Sequence, residues 1–292
     1  MTDTPTAGDD GLRHSTVTAG GSSLHVVEAG DAQADPVLFL HGWPQSWRAW
    51  QPVLHLASRR VHAIAIDLPG IGESTGGSTD GAKRAVAATV HALVEAMGLR
   101  NLTVVGHDAG AMVAYAYLRN FPEDLKAAVL MDVAVAGVPP WEQVAPGAWH
   151  FGFHAVPSLP ERLVGGRQRE YFDFFYDAFS LDPSAITDDA RAAYAQAYAS
   201  DTALTAGFNW YRTFPADAHH NGHPDQGRTR IDTPTLLMLS DRMAPLAPAF
   251  DQGFRAAGLT AFSHAIVTGA GHFLPEEAPE RTWQLVADFI GL

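Results

Sequence analysis

The stretch Leu102-Thr103-Val104-Val105-Gly106-His107-Asp108-Ala109-Gly110-Ala111-Met112 decides how the rest of the chain is read. Its first four residues are mostly apolar and β-branched, as in a buried strand, and the alanine-rich run 112–118 has the composition of a helix. Between them, Gly106 and Gly110 flank Asp108. A strand that turns at once into a helix holds the side chain at its apex in a strained conformation. Glycines on both sides let backbone and helix pack closely around it, which is the arrangement of a nucleophile elbow. An aspartate can also sit here as a helix N-cap, but a cap does not require two glycines. The apex residue is a carboxylate, ionised at neutral pH given an ordinary pKa of about 3.9. Serine in this position performs acyl transfer, whereas aspartate displaces a leaving group at a saturated carbon and becomes the acyl part of the resulting ester.

On either side of the elbow, segments 23–28, 37–40, 61–66, 127–131, 235–239 and 263–267 have strand character, and 81–97, 109–120 and 279–290 are helix-length. Strands alternating with helices predict an α/β fold, a mostly parallel central sheet flanked by helices on both faces. The rhythm changes after about Gly137. From Trp141 to about Asp217 the chain is rich in aromatics and alanine and offers no convincing strand. An all-helical insertion inside such a pattern is a lid, placed where loops leave the carboxyl ends of strands and where these sheets bind ligands. Residues 1–136 and 218–292 are therefore assigned to the core domain and 137–217 to a helical cap.

The 292 residues, 47% of them hydrophobic, suffice for one large core carrying such an insertion. The chain has no cysteine, which excludes disulfides, thiolate metal sites and a cysteine nucleophile. A net charge of −13 argues against nucleic-acid and anionic-membrane partners and fits a neutral or apolar small-molecule substrate. The first ten residues read as a frayed segment with no basic or apolar leader, and no run reaches the roughly 18 apolar residues of a membrane span, so a cytoplasmic location is expected. An exposed apolar lid face could support a homodimer.

Four separated motifs carry a family resemblance: His41-Gly42-Trp43-Pro44, Asp67-Leu68-Pro69-Gly70-Ile71-Gly72-Glu73-Ser74, the aspartate elbow, and Gly269-Ala270-Gly271-His272-Phe273. In this order and spacing the chain resembles the α/β-hydrolase family, in its epoxide hydrolase branch, which is related to the haloacid and haloalkane dehalogenases. The resemblance implies Asp108 as nucleophile, backbone N–H groups of Trp43 and Ala109 as an oxyanion hole, and His272 as general base. A carboxylate should orient the base; Asp132 is the first choice and Asp241 the alternative. Epoxide opening develops an alkoxide that needs a donor. Asn209-Trp210-Tyr211-Arg212 matches one lid tyrosine of the family. Trp149-His150-Phe151-Gly152-Phe153 resembles a bacterial subgroup that pairs a lid histidine with it, so Tyr211 and His150 are the expected donors. Trp43, Trp47, Trp149, Phe151 and Phe153 would line an apolar pocket. No cofactor or metal is implied. His41 and His107 are read as hydrogen-bonding backbone around the elbow, and His219, His220 and His223 as a solvated loop without a metal-ligand pattern.

The implied activity is conversion of an epoxide to a vicinal diol through a covalent aspartyl ester, leaving substrate size and stereochemistry open. The alternative is a dehalogenase using the same nucleophile. Haloacid-type relatives carry arginines just after the nucleophile, where this chain has Ala109 and Met112, and lack of that clamp would leave a small carboxylate poorly oriented. A non-catalytic binding protein on the same fold would need only the pocket, not the set Asp108, His272, Asp132 and Tyr211.

Overall fold

The computed structural model of the protein describes residues 6–7, 11–76, 80–223 and 230–292. Among these, ten strands form one sheet: β1 (Thr6–Ala7), β2 (Arg13–Ala19), β3 (Ser22–Ala29), β4 (Pro36–Leu40), β5 (His62–Ile66), β6 (Thr75–Gly76), β7 (Leu102–His107), β8 (Leu125–Met131), β9 (Thr235–Ser240) and β10 (Phe262–Val267). Their order is β1-β2-β3-β5-β4-β7-β8-β9-β10, with β6 paired to β3. From β5 to β10 every pairing is parallel, while β1, β2, β3 and β6 join antiparallel.

The helices of the α/β part are α1 (Gln51–Ala57), α2 (Lys83–Ala96) and α3 (Ala109–Asn120). Between β8 and β9 the described chain forms only helices: α4 (Trp141–Val144), α5 (Trp149–Ala155), α6 (Leu159–Val164), α7 (Gln168–Phe179), α8 (Asp188–Ala197), α9 (Asp201–Arg212) and α10 (Phe214–Gly222), with short 3-10 turns. After the sheet resumes come α11 (Ala247–Ala256), α12 (Leu274–Glu277) and α13 (Pro279–Ile290).

Alternation of side chains across the pleat splits the core in two. Leu38 and Leu40 of β4 face one apolar cluster with α2, α3 and the inserted helices, whereas Val37 and Phe39 face the other, with α1 and α13. A strand covered on both faces must be apolar throughout, which is why β4, β5 and β7 read as continuous hydrophobic runs.

Several elements differ from the sequence reading. Strand β2, next to the edge strand β1, was not expected, and the run of helices read as far as about Asp217 continues a little further, because α10 ends at Gly222. His219 and His220 therefore lie on the last turn of a helix rather than in a loop, with His223 capping it and stacked on His219 at 4.6 Å. Of the first ten residues only Thr6 and Ala7 are described, paired with β2; the frayed-segment reading of the others lies outside the described residues. No helix among the described residues is long and apolar enough to cross a membrane.

Candidate active site

Asp108 follows β7 directly and holds φ 50° and ψ −121°, a conformation rare for any residue with a side chain. Such strain costs on the order of 1–3 kcal/mol and persists only where the surroundings over-determine it. They do so here through close backbone approach. A Cβ on Gly106 would collide with the backbone of Gly110 and Ala111, and one on Gly110 with the carbonyls of Leu40 and His41. Although Asp108 occupies the N-cap position of α3, its side chain makes no capping bond. Its Oδ1 instead accepts the backbone N–H of Trp43 at 2.8 Å. Its Oδ2 lies 3.7 Å from Nε2 of His272.

Of the two carboxylates left open by the sequence, Asp132 is the one that meets the histidine. It follows β8 with φ 46°, is buried, and accepts from Nδ1 of His272 at 2.8 Å through Oδ2 and from the N–H of Ser240 at 2.7 Å through Oδ1. Asp241 turns away and accepts the N–H of Gly269 at 2.8 Å. Burial by itself would lower the pKa of His272, but the hydrogen bond to Asp132 and the charges of Asp132, Asp108 and Glu277 outweigh it and hold the imidazole above its ordinary value.

The other two histidines near the elbow are structural. His41 bonds the carbonyl of Gly42 at 2.9 Å and accepts the N–H of Leu68 at 3.0 Å. His107 bonds the carbonyl of His272 at 2.8 Å, and burial, aided by the charge of His272, pushes its pKa down to about 3.

A cavity of about 250 Å³ opens above Asp108. Met112, Val133, Ala134, Phe151, Phe179 and Met243 give it an apolar wall, and Asp108, Asp132, His150, Arg242 and His272 supply polar groups. Burial, followed by the charge of His272, lowers the pKa of His150 to about 4, so its ring is neutral at pH 7; its buried Nδ1 has no partner among the described residues. Tyr211 packs behind, its ring 5.9 Å from His150, 5.6 Å from Phe151 and 5.7 Å from Trp43. Burial and then the charge of Asp108 raise its hydroxyl well above the ordinary value, so it is protonated before any reaction.

Four expected pocket residues lie elsewhere. The ring of Trp43 is buried against Phe172 and Phe175, at 5.4 and 4.9 Å. Trp149 is 52% exposed and shares an outer groove with Phe153, Leu163 and Phe174. Trp47 packs edge-on against His14 and His25, at 5.1 and 6.0 Å. Conversely, the sequence reading missed His154, which is buried against Trp43 and Tyr211 (4.5 and 4.4 Å) and bonded to the hydroxyl of Tyr171 at 2.7 Å. The spacing His150-x-x-x-His154 on one helix was the available signal.

A larger cleft runs along the amino-terminal ends of β4 and β5, but its buried histidine, His62, is already paired with Glu28 at 2.7 Å. Among the described residues no group of three or more His, Asp or Glu could hold a metal ion.

Residues 35–279 match the family described as alpha/beta hydrolase fold, and the chain belongs to that family. It is similar to a soluble epoxide hydrolase of Corynebacterium sp. (strain C12), 25% identical over 92% of this chain and 94% of the relative. It is also similar to a fluoroacetate dehalogenase of Burkholderia sp., 24% identical over 96% and 94%. Among solved structures, Cfl2 of Burkholderia cenocepacia superposes with a TM-score of 0.86 at 31% identity over 96% of each chain.

Proposed function

We propose that the protein is an epoxide hydrolase that forms a vicinal diol through a covalent ester on Asp108, with residues 137–217 serving as a cap over the core. The observation that carries this reading is the division of labour within one carboxylate: Oδ1 is held by the Trp43 amide while Oδ2 is free to attack and faces His272. Names of relatives add support, since most of those compared are epoxide hydrolases.

In the first step Oδ2 attacks an epoxide carbon and the ring C–O bond breaks, its electron pair passing to oxygen. The uncharged ring of His150 donates to that oxygen, and Tyr211 supplies the proton. In the second, His272, oriented by Asp132, takes a proton from water as the water oxygen adds to the ester carbonyl. Charge then builds on Oδ1, where the Trp43 and Ala109 amides stabilise it. Collapse breaks the Cγ–Oδ2 bond, Oδ2 leaves with the product and takes the remaining proton of the added water, giving the diol and a carboxylate that keeps the water oxygen, and the proton held by His272 returns to the Tyr211 phenolate through solvent.

His272→Gln is expected to accumulate the ester, seen as a mass adduct of enzyme plus epoxide, and Tyr211→Phe to slow its formation. A parent enzyme that turns over epoxides with no adduct in His272→Gln would sink the mechanism. A panel of epoxides, haloalkanes and haloacetates, with Asp108→Ala as control, separates the alternative. Halide release without diol formation would make the protein a dehalogenase; the apolar Met112 stands where haloacid-type relatives carry an arginine, which speaks against that for haloacids, while Arg242 is the cation that does line the cavity.

A further inference from the structure

Glu277, the last residue of α12, accepts four backbone hydrogen bonds. Its Oε1 takes the N–H of Phe273 at 3.0 Å, and Oε2 takes those of Gly271 (2.9 Å), Leu181 (2.7 Å) and Asp182 (3.2 Å). Capping α12 accounts for the Phe273 bond alone. The other three join segments far apart in sequence: Gly271 sits in the loop that carries His272, while Leu181 and Asp182 follow α7 in the helical insertion. Between the amides held by Glu277, the N–H of His272 itself donates to the carbonyl of Phe179 at 2.9 Å. Backbone meets backbone here because residue 271 is glycine; a Cβ would stand 2.5 Å from both Leu181 N and Phe179 O. The three consecutive amides 271–273 are thereby all fixed.

We propose that Glu277 is a positioning residue: it latches the His272 loop to the inserted helices and so holds the imidazole where ester hydrolysis needs it. This rests on the two-step reading above. A carboxylate suits the task because it is acceptor-only with room for about four bonds, whereas an amide of the same shape would turn a donor toward groups that already donate. Attack by Asp108 starts from the elbow and does not use His272, so the latch governs the second step rather than the first. The charged and titratable groups around His272 are Asp132 after β8, Asp108 and His107 at the elbow, His150 on α5, Glu277, and Arg242 after β9, which lines the same cavity.

In Glu277→Gln, rapid-quench mass analysis with an epoxide is expected to show ester formation within about twofold of the parent. Hydrolysis should be slower by about tenfold or more, since a misplacement of ~1 Å can cost on the order of a hundredfold. Equal slowing of both steps, or unchanged hydrolysis, overturns the proposal. A second readout needs no substrate. The NMR titration midpoint of the His272 ring, assigned by its loss in His272→Gln, is expected to fall in Glu277→Gln, and coincident midpoints overturn the proposal. If the parent opens no epoxide, the functional reading fails, while the titration still decides whether Glu277 sets the surroundings of His272. Should Glu277→Gln not fold, Glu277→Asp, whose arm is too short to span both segments, is judged by the same two rates.

Discussion

The two oxygens of Asp108 are unlike before any substrate arrives, and the charge they share also acts on His272. That charge is one of the influences holding the imidazole above its ordinary pKa. In the proposed mechanism Oδ2 becomes an ester oxygen and the charge disappears, and the sign of the change follows: with less negative charge nearby the imidazolium loses its proton more readily, at the moment that mechanism requires a base. Asp108→Asn reproduces the loss of charge, so the His272 ring is expected to titrate at lower pH in that variant than in the parent. An unchanged NMR midpoint would show that Asp108 has no such hold. At this scale the sequence was legible wherever a motif fixed the backbone, as at Asp108 and His272. It was not legible where only direction decides. Trp149 and Phe153 share one side of α5, and His150 and His154 share another; at about 100° per residue neighbours in sequence diverge, and an aromatic run does not say which side faces the cavity. The choice of Asp132 over Asp241 was likewise a matter of which turn points inward.

Elements buried on both faces announced themselves as apolar runs, and α3 and α13 match their expected bounds. The strand β2 escaped because its first four residues are only partly buried and polar, as suits an antiparallel strand near the sheet edge. Docking of the inserted helices onto the α/β part also left no pattern in sequence, since it depends on single polar contacts. One of these is Lys83 at the start of α2. It is buried, its ammonium donates to the carbonyl of Trp210, to Thr213 at 3.1 Å and to Asp217 at 3.0 Å, and it lies over the ring of Phe214 at 4.7 Å. Removing one partner of a buried ion pair costs about 3–5 kcal/mol. Lys83→Met is therefore expected to lower Tm by on the order of 10 °C. The double variant with Asp217→Leu should lose less than the sum of the single losses, because the single variants each leave a buried charge alone. Additive Tm losses would contradict this role.

The described residues form one sheet between two apolar clusters, an arrangement the alternation of strand and helix foretold. The molecule's surface charge, by contrast, says little about the reaction, which depends on a few groups withdrawn from water.

Those groups do not share one foundation. Asp108 and Asp132 stand at the ends of β7 and β8, strands buried on both faces where they approach the site, whose amide hydrogens there are expected to be among the slowest to exchange. His272 and His150 hang instead from a loop and a short helix, tied to each other's surroundings by a handful of backbone bonds and one carboxylate. On gradual warming the catalyst should therefore come apart before the protein does, with activity fading while the sheet's circular dichroism is still intact and returning on cooling as the slow-exchanging half waits for the fast one.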